Sequence, residues 1–364
     1  MHKTISEEPK LRRVLSEDLR RGDFWRTMSK DVGALLEFYT SENQKTRLRT
    51  MGRLKRWFFT AWWILKSMML HLSPGRRLLI FLGLILVYFG PQVRFGDTTI
   101  QSSDWHVLGG TMLILVLMLE LKDKLLARDE LEAGRKIQTA LMPPASPDVP
   151  GWSVWLYSQP ANEVGGDLVD FLPMDANRVG IALGDVAGKG LKAALLMAKL
   201  QATIRALATD MKSLSTLAGN INRIFHRDSI PGVFASLLYV TVEKGGKIRY
   251  VNAGHLPPMV ISGKTVQEKG KGDTAVGLAG EMHFKEQSLR LNKGEVFFAY
   301  SDGLVEARNE QGEFFGIDRL RSILRGVPHR FAPEMGEALL KEVKEFRGAA
   351  NPADDLSIVI LRRD

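Results

Sequence analysis

Cysteine is absent from all 364 residues, which excludes disulfides, thiolate zinc sites and cysteine nucleophiles together. The first fifty residues are polar and hold no apolar core of signal-peptide length, so no secretory leader is read there. A phosphate-binding P-loop is missing as well. Walker A needs four residues between its first glycine and GK, then Ser or Thr, whereas Gly184 to Gly190 (GDVAGKG) has three and ends on glycine. What the chain does have is length enough for more than one domain, an uneven basic charge and several apolar tracts.

Residues 1–56 carry 14 Lys/Arg against 8 Asp/Glu, and Lys45 to Arg56 holds six basic residues and no acid. Such a run suits nucleic acid or an anionic membrane surface. The hydrophobic tract that follows immediately favours the membrane lipid, and no nucleic-acid partner is expected. Residues 1–56 read as two short cytosolic helices. Trp57 to Leu72 is apolar but interrupted, while Leu78 to Val93 and Trp105 to Leu121 are cleaner tracts of near-spanning length. Basic residues flank the pair on the outer sides: Arg76 and Arg77 before it, Lys122, Lys124 and Arg128 after it. Both ends therefore prefer the cytoplasm, giving a two-span hairpin with Trp57 to Leu72 lying in the interface. The competing arrangements are three spans, which would place Lys45 to Arg56 outside, and buried core helices of a soluble protein. A helical linker, 122–144, ends at Pro143-Pro144. Its Leu126, Ala133, Ile137, Ala140 and Leu141 share a face that must pack on the following domain or on a second copy, as a homodimer.

From residue 145 onward the pattern is α/β. Strands are expected at Val154 to Ser158, Leu168 to Met174, Val179 to Asp185, Val233 to Val242, Ile248 to Asn252, Met259 to Ile261, Phe284 to Leu291, Val296 to Tyr300 and Leu356 to Leu361. Helices are expected at Leu191 to Ala208, Leu214 to His226, after Gly303 and at Pro333 to Phe346. Short turns imply antiparallel pairing, and helices clustered between strand groups imply sheets covered by helices. Leu168 to Met174 and Arg178 to Leu183 form a hairpin that brings Asp167 and Asp185 to one end. Ser301-Asp302-Gly303 and Asp354-Asp355 are two more acidic turns at strand ends. One Asp-Gly alone is an ordinary turn. Several on one face would suit hard divalent cations, which take oxygen ligands.

GGDLVDF, GDVAGKGLKAALLMA, VNAGHLPPMV, FFAYSDGLVEARNEQGEFFG and ADDLSIVIL, in this order, resemble the bacterial phosphoserine/phosphothreonine phosphatases of the RsbU/SpoIIE type, a branch of the type 2C (PPM) superfamily. The resemblance runs from about Glu130 to Arg363. It implies an αββα sandwich of two antiparallel sheets flanked by helices, with two Mn²⁺ or Mg²⁺ ions at one edge. It implies Asp185 as the bridging ligand, with Asp167, Asp302, Asp354 or Asp355, and the Val186 carbonyl completing the set; Asp185 and Asp302 carry the catalysis. Two positions depart from the family's usual residues, Lys189 in GDVAGKG and Val169 in GGDLVD, and neither removes a ligand.

The expected chemistry is hydrolysis by a hydroxide held between the two cations, which offset charge building on the phosphoryl group. Lys189 and Arg308 are candidates for holding the phosphate. His255 in the AGHLPP turn is either a proton donor to the leaving oxygen or a structural residue. The implied substrate is a phosphorylated signalling protein, a STAS-domain antagonist of an anti-sigma factor, acted on by a multi-pass protein of the inner membrane whose catalytic domain is cytoplasmic. The reading from another class is a non-catalytic module that docks a phosphoprotein at the membrane.

Overall fold

The computed structural model describes residues 47, 51–89, 93–95, 98–100, 102–175, 178–228, 232–326 and 331–364. Of the segment 1–56 expected to form two short helices, residues 1–46 and 48–50 lie outside the described residues. The chain divides into two compact units after Leu125.

In the first unit, α1 (Arg53–His71) and α2 (Pro74–Phe89) precede a small ribbon of β1 (Val93–Phe95) and β2 (Thr98–Ile100), after which α3 begins at Ser102. Two expected boundaries shift. Of the tract predicted to end at Val93, Pro74–Phe89 is helical and Val93 itself opens a strand. The predicted span and the predicted linker are one uninterrupted helix of 40 residues, Ser102–Leu141, because the Lys, Leu, Glu, Arg and Ala joining them are strong helix formers. Arg76 near the start of α2 bonds Glu120 and Asp123 on α3, both at 2.6 Å, so the two helices run antiparallel. Their apolar side chains face outward, with Phe81 62% and Leu117 67% exposed. Among the described residues one helical segment, Trp105–Leu141, is long and apolar enough to cross a membrane. The 16 described residues of α2 fall short of that length.

The second unit holds two five-stranded antiparallel sheets. The first has the order β10 (Glu286–Arg290), β7 (Lys247–Ala253), β6 (Ala235–Glu243), β5 (Arg178–Val186), β4 (Asp167–Asp175). The second has β3 (Trp152–Gln159), β12 (Leu356–Arg363), β11 (Val296–Tyr300), β8 (Met259–Ser262), β9 (Thr265–Glu268). Their central strands are apolar on both faces, and the period-two alternation sorts the residues into layers. Phe297, Val359 and Leu361 meet Ile181, Leu183, Leu238 and Val240 between the sheets. The alternate residues Phe298, Ile358 and Ile360 pack outward under α7 (Ile317–Gly326) and α8 (Ala332–Arg347). On the other side, Leu237 and Tyr239 pack under α4 (Gly190–Ala208) and α5 (Leu214–Asp228). The result is the α-β-β-α layering expected from the motifs. The strand Thr265–Glu268 was not expected, because its TVQE lacks an apolar face. The strand expected from Val233 starts at Ala235, and the one expected over Phe284 to Leu291 shortens to Glu286–Arg290.

Of the two partners expected for the linker stripe, the following domain does not cover Leu126, Ala133, Ile137 or Ala140, which leaves the second copy. Leu126 and Ile137, predicted to pack, are 51% and 65% exposed, and Ala133 and Ala140 are exposed too. The buried residue is Gln138, whose Nε2 donates to the Gly165 carbonyl at 2.9 Å and whose Oε1 accepts the Gly165 N–H at 3.1 Å. Periodicity finds an apolar stripe, but the contact made with this domain is a side-chain amide that satisfies both backbone polar groups of Gly165.

Behind that turn, the buried Asp170 receives Arg205 of α4 through two hydrogen bonds of 2.8 and 2.7 Å. Arg205→Met would leave the carboxylate unpaired. The expected loss is about 3 kcal/mol, the low end for removing one partner of a buried pair, because the Arg205 side chain is 42% exposed. A urea titration should show a lower midpoint with unchanged slope.

Candidate active site

The hairpin of β4 and β5 pairs Asp167 directly with Asp185. Directly opposed residues project to the same face, with Cα atoms roughly 4.5–5.5 Å apart. Asp167 is 4% exposed and its Oδ2 has no hydrogen-bond partner. Like charges so placed repel, and the fold tolerates this at a strand end where pairing could simply have stopped.

The other two acidic turns belong to the second sheet and are locked to each other. Asp302 opens the short helix α6 (Asp302–Val305) at the end of β11. Its neighbour Ser301 donates its N–H to the Ser357 carbonyl at 2.9 Å and its hydroxyl to the Asp355 carbonyl at 3.2 Å, while Ser357 N–H donates back to Ser301 Oγ at 2.9 Å. Gly303 allows this contact, since a Cβ there would stand 2.0 Å from the Asp355 carbonyl oxygen. Asp355 then reaches the first sheet. Its carboxylate accepts the N–H groups of Ala161, Gly166 and Asp167 at 2.8, 2.7 and 3.4 Å. Asp354 accepts the Asp355 N–H at 3.0 Å and pairs with Lys189 Nζ at 3.1 Å.

The electrostatics reflect this gathering. Burial pushes the Asp185 carboxyl up to about 6, with Asp302, Asp354 and Asp355 adding to the rise and Lys189 opposing it. Asp302 is raised by burial, then by Asp354 and Glu306. Asp167 is raised well above the ordinary range by burial, with Asp185 and Asp355 contributing and the Ser357 and Ser301 hydroxyls working the other way.

Of these acids Asp185 and Asp302 line a cleft of about 530 Å³, together with His255, Phe234, Leu256 and Lys271 among others. His255 is 7% exposed and held at both ring nitrogens. A carbonyl only accepts, so Nε2 carries the proton it donates to the Tyr300 carbonyl at 3.1 Å, and Nδ1 accepts from the Ser236 hydroxyl at 2.8 Å. Burial lowers its pKa to about 4, opposed by the Tyr300 carbonyl, so the ring is neutral. Both nitrogens being engaged, neither points a proton at the cleft. Of the predicted phosphate holders, Lys189 is occupied with Asp354, and Arg308 lies over the Phe314 ring at 4.7 Å; neither lines the cleft. The cation that does line it is the exposed Lys271, which the sequence reading passed over because KGKGD carries no periodic or motif signal.

Among the described residues no three His, Asp or Glu side chains stand at the spacing of a closed metal cage. The donor set nevertheless fits hard cations. Asp167 has an unpartnered buried oxygen, the carboxyls of Asp167, Asp185 and Asp302 are raised by burial and by neighbouring acids, and Val186 is fully buried on β5. Mg²⁺ in particular keeps several waters and needs only one or two direct carboxylates, so an open cluster suffices.

Known proteins resemble this chain over the same region. The family model described as stage II sporulation protein E (SpoIIE) matches residues 175–364. Protein IcfG of Synechocystis sp. is 28% identical over 54% of the chain, which spans 36% of IcfG. The phosphoserine phosphatase RsbU of Bacillus subtilis is 26% identical over 65% of the chain and 70% of its own length. In fold, the SiaA-PP2C domain of Pseudomonas aeruginosa is similar at a TM-score of 0.58 and 22% identity, covering 66% of this chain and 99% of that one.

Proposed function

We propose that this chain, which belongs to the SpoIIE family, is a metal-dependent protein serine/threonine phosphatase acting on a signalling protein. The observation that carries the reading is the gathering of acids from two sheets: Asp185 and Asp302 line one cleft, Asp167 stands directly across from Asp185, and burial raises the carboxyls of all three. Divalent cations, when bound, supply charge neutralisation at the phosphate and a more acidic water. Asp167, Asp185 and Asp302 hold them, with the Val186 carbonyl and Asp354 as further oxygen donors. Asp355 acts as a brace, since its carboxylate is spent on three backbone N–H groups. Lys271 meets the phosphate, and Phe234 and Leu256 form the apolar wall beside it.

The likeness to a phosphoserine phosphatase supports a phosphoserine-bearing substrate, and the motif resemblance makes a phosphorylated STAS-domain antagonist of an anti-sigma factor the one proposed. Outward apolar side chains on α2 and α3, with basic residues beyond both ends of the pair, support a two-span anchor in the inner membrane and a cytoplasmic catalytic unit. The exposed Leu126 and Ile137 offer a second copy of the chain a face on the linker helix.

The full chain in detergent, given Mn²⁺ and a phosphoserine-bearing STAS domain, should release phosphate and stop on EDTA. Binding without release would favour the docking-module reading instead. Lys271→Ala should raise KM about tenfold with kcat within about twofold, the expected loss for one charge-assisted hydrogen bond made equally in ground and transition states.

A further inference from the structure

His255 sits where the chain crosses between the two sheets, in the connection from β7 to β8. The turn is built for it. Gly254 takes φ +73, a left-handed conformation, and a Cβ there would stand 2.6 Å from the Ala275 backbone nitrogen. Asn252, fully buried, accepts the His255 N–H at 2.8 Å and donates to the His255 carbonyl at 3.1 Å. The imidazole is thus held from its own backbone before it touches anything else.

What it touches are the supports of two cleft acids. On one side Ser236 donates its hydroxyl to Nδ1 at 2.8 Å, and the same oxygen accepts the Asp185 N–H at 3.2 Å, strand neighbours in register across β5 and β6. On the other side Nε2 donates to the carbonyl of Tyr300 at 3.1 Å, the last residue of β11 and two before Asp302. One line of hydrogen bonds therefore runs Asp185 N–H, Ser236, His255, Tyr300, and joins the ends of strands in opposite sheets. Its donors and acceptors agree in direction with a single tautomer, which makes the line a rigid spacer.

We propose that His255, through Ser236, is a positioning residue that sets the separation of Asp185 and Asp302 across the two sheets and thereby tunes the affinity of the cluster for a divalent cation. This rests on the metal reading above. Groups that orient ligands in this way typically cost 10–100-fold in metal affinity when removed. A histidine that merely filled space would cost stability and leave the cation untouched.

The test is Mn²⁺ binding to the full chain in detergent, measured by titration calorimetry beside thermal unfolding. Ser236→Ala, a small change that leaves the Tyr300 bond in place, should raise the Mn²⁺ Kd about tenfold, and Ser236→Thr, which keeps a hydroxyl, should restore it. His255→Gln should weaken binding to a similar degree, and the double variant with Ser236→Ala should be no weaker than the worse single one, since both cut the same line. Mn²⁺ affinity within twofold of wild type in Ser236→Ala, or equal losses in the alanine and threonine variants, would overturn the proposal. If His255→Gln fails to fold, the two Ser236 variants decide the matter. No Mn²⁺ binding by the wild-type chain would instead overturn the metal reading, and this inference with it.

Discussion

Asparagine in place of Asp185 should reduce Mn²⁺-dependent phosphate release by roughly 10²–10³-fold, because several kcal/mol of charge stabilisation are lost at about 1.4 kcal/mol per decade. Asp302→Asn should fall in the same range. Asp354→Asn should cost much less, since Asp354 is paired with Lys189 at the open rim. The same substitutions carry a second signature. Asp185 stands directly across from Asp167 with Asp302, Asp354 and Asp355 raising its carboxyl. Removing its charge relieves repulsion in the metal-free chain. In EDTA, Asp185→Asn should therefore unfold at a higher temperature than wild type while being nearly inactive in Mn²⁺. An inactive variant of lower stability would mean that activity was lost through misfolding. Wild-type activity in both Asp185→Asn and Asp302→Asn would sink the hydrolytic assignment of the cluster.

Mn²⁺ should bind about tenfold more weakly at pH 5 than at pH 7, because a carboxyl titrating at about 6 must lose its proton before it can hold a cation. The linkage to stability has the opposite sense. The folded chain holds the Asp185 proton more tightly than the unfolded chain, whose carboxyl sits near 3.8. Between about pH 4 and pH 6 the folded state therefore carries more protons, and the metal-free chain loses stability as pH rises through that window. Asp167 and Asp302, raised in the same direction, add to the slope. Calorimetric titrations at the two pH values, with unfolding scans in EDTA across the window, measure both effects. An Mn²⁺ affinity that does not change between pH 5 and pH 7 would show that no raised carboxyl competes with the ion. In Asp185→Asn the EDTA slope should be shallower than in wild type.

Much of the catalytic unit is legible along the chain because its rules are local. Strand alternation of period two places Phe297 and Phe298 on opposite faces of β11 and so separates the sheet-to-sheet core from the helix-covered core. A short polar turn between two apolar runs is enough to bring Asp167 opposite Asp185. The absence of cysteine limits the donors for a metal to oxygen and imidazole nitrogen. Helix periodicity carries less, as the linker shows: it identifies the stripe with Leu126 and Ile137, yet within the chain the helix meets the domain through Gln138, whose amide matches the buried N–H and carbonyl of Gly165.

Only the tertiary structure decides the roles of the polar residues around the acids. Asp355 is a brace because it meets N–H groups 188 to 194 positions away, His255 is a clasp because Ser236 and Tyr300 lie 19 and 45 positions from it, and Lys271 reaches the cleft from a loop without pattern. Hydrophobic burial is nearly directionless and repeats with the local period, so it can be read from composition and spacing. A hydrogen bond depends on distances of a few tenths of an ångström between groups remote in sequence, and those distances come into being only when both sheets have packed.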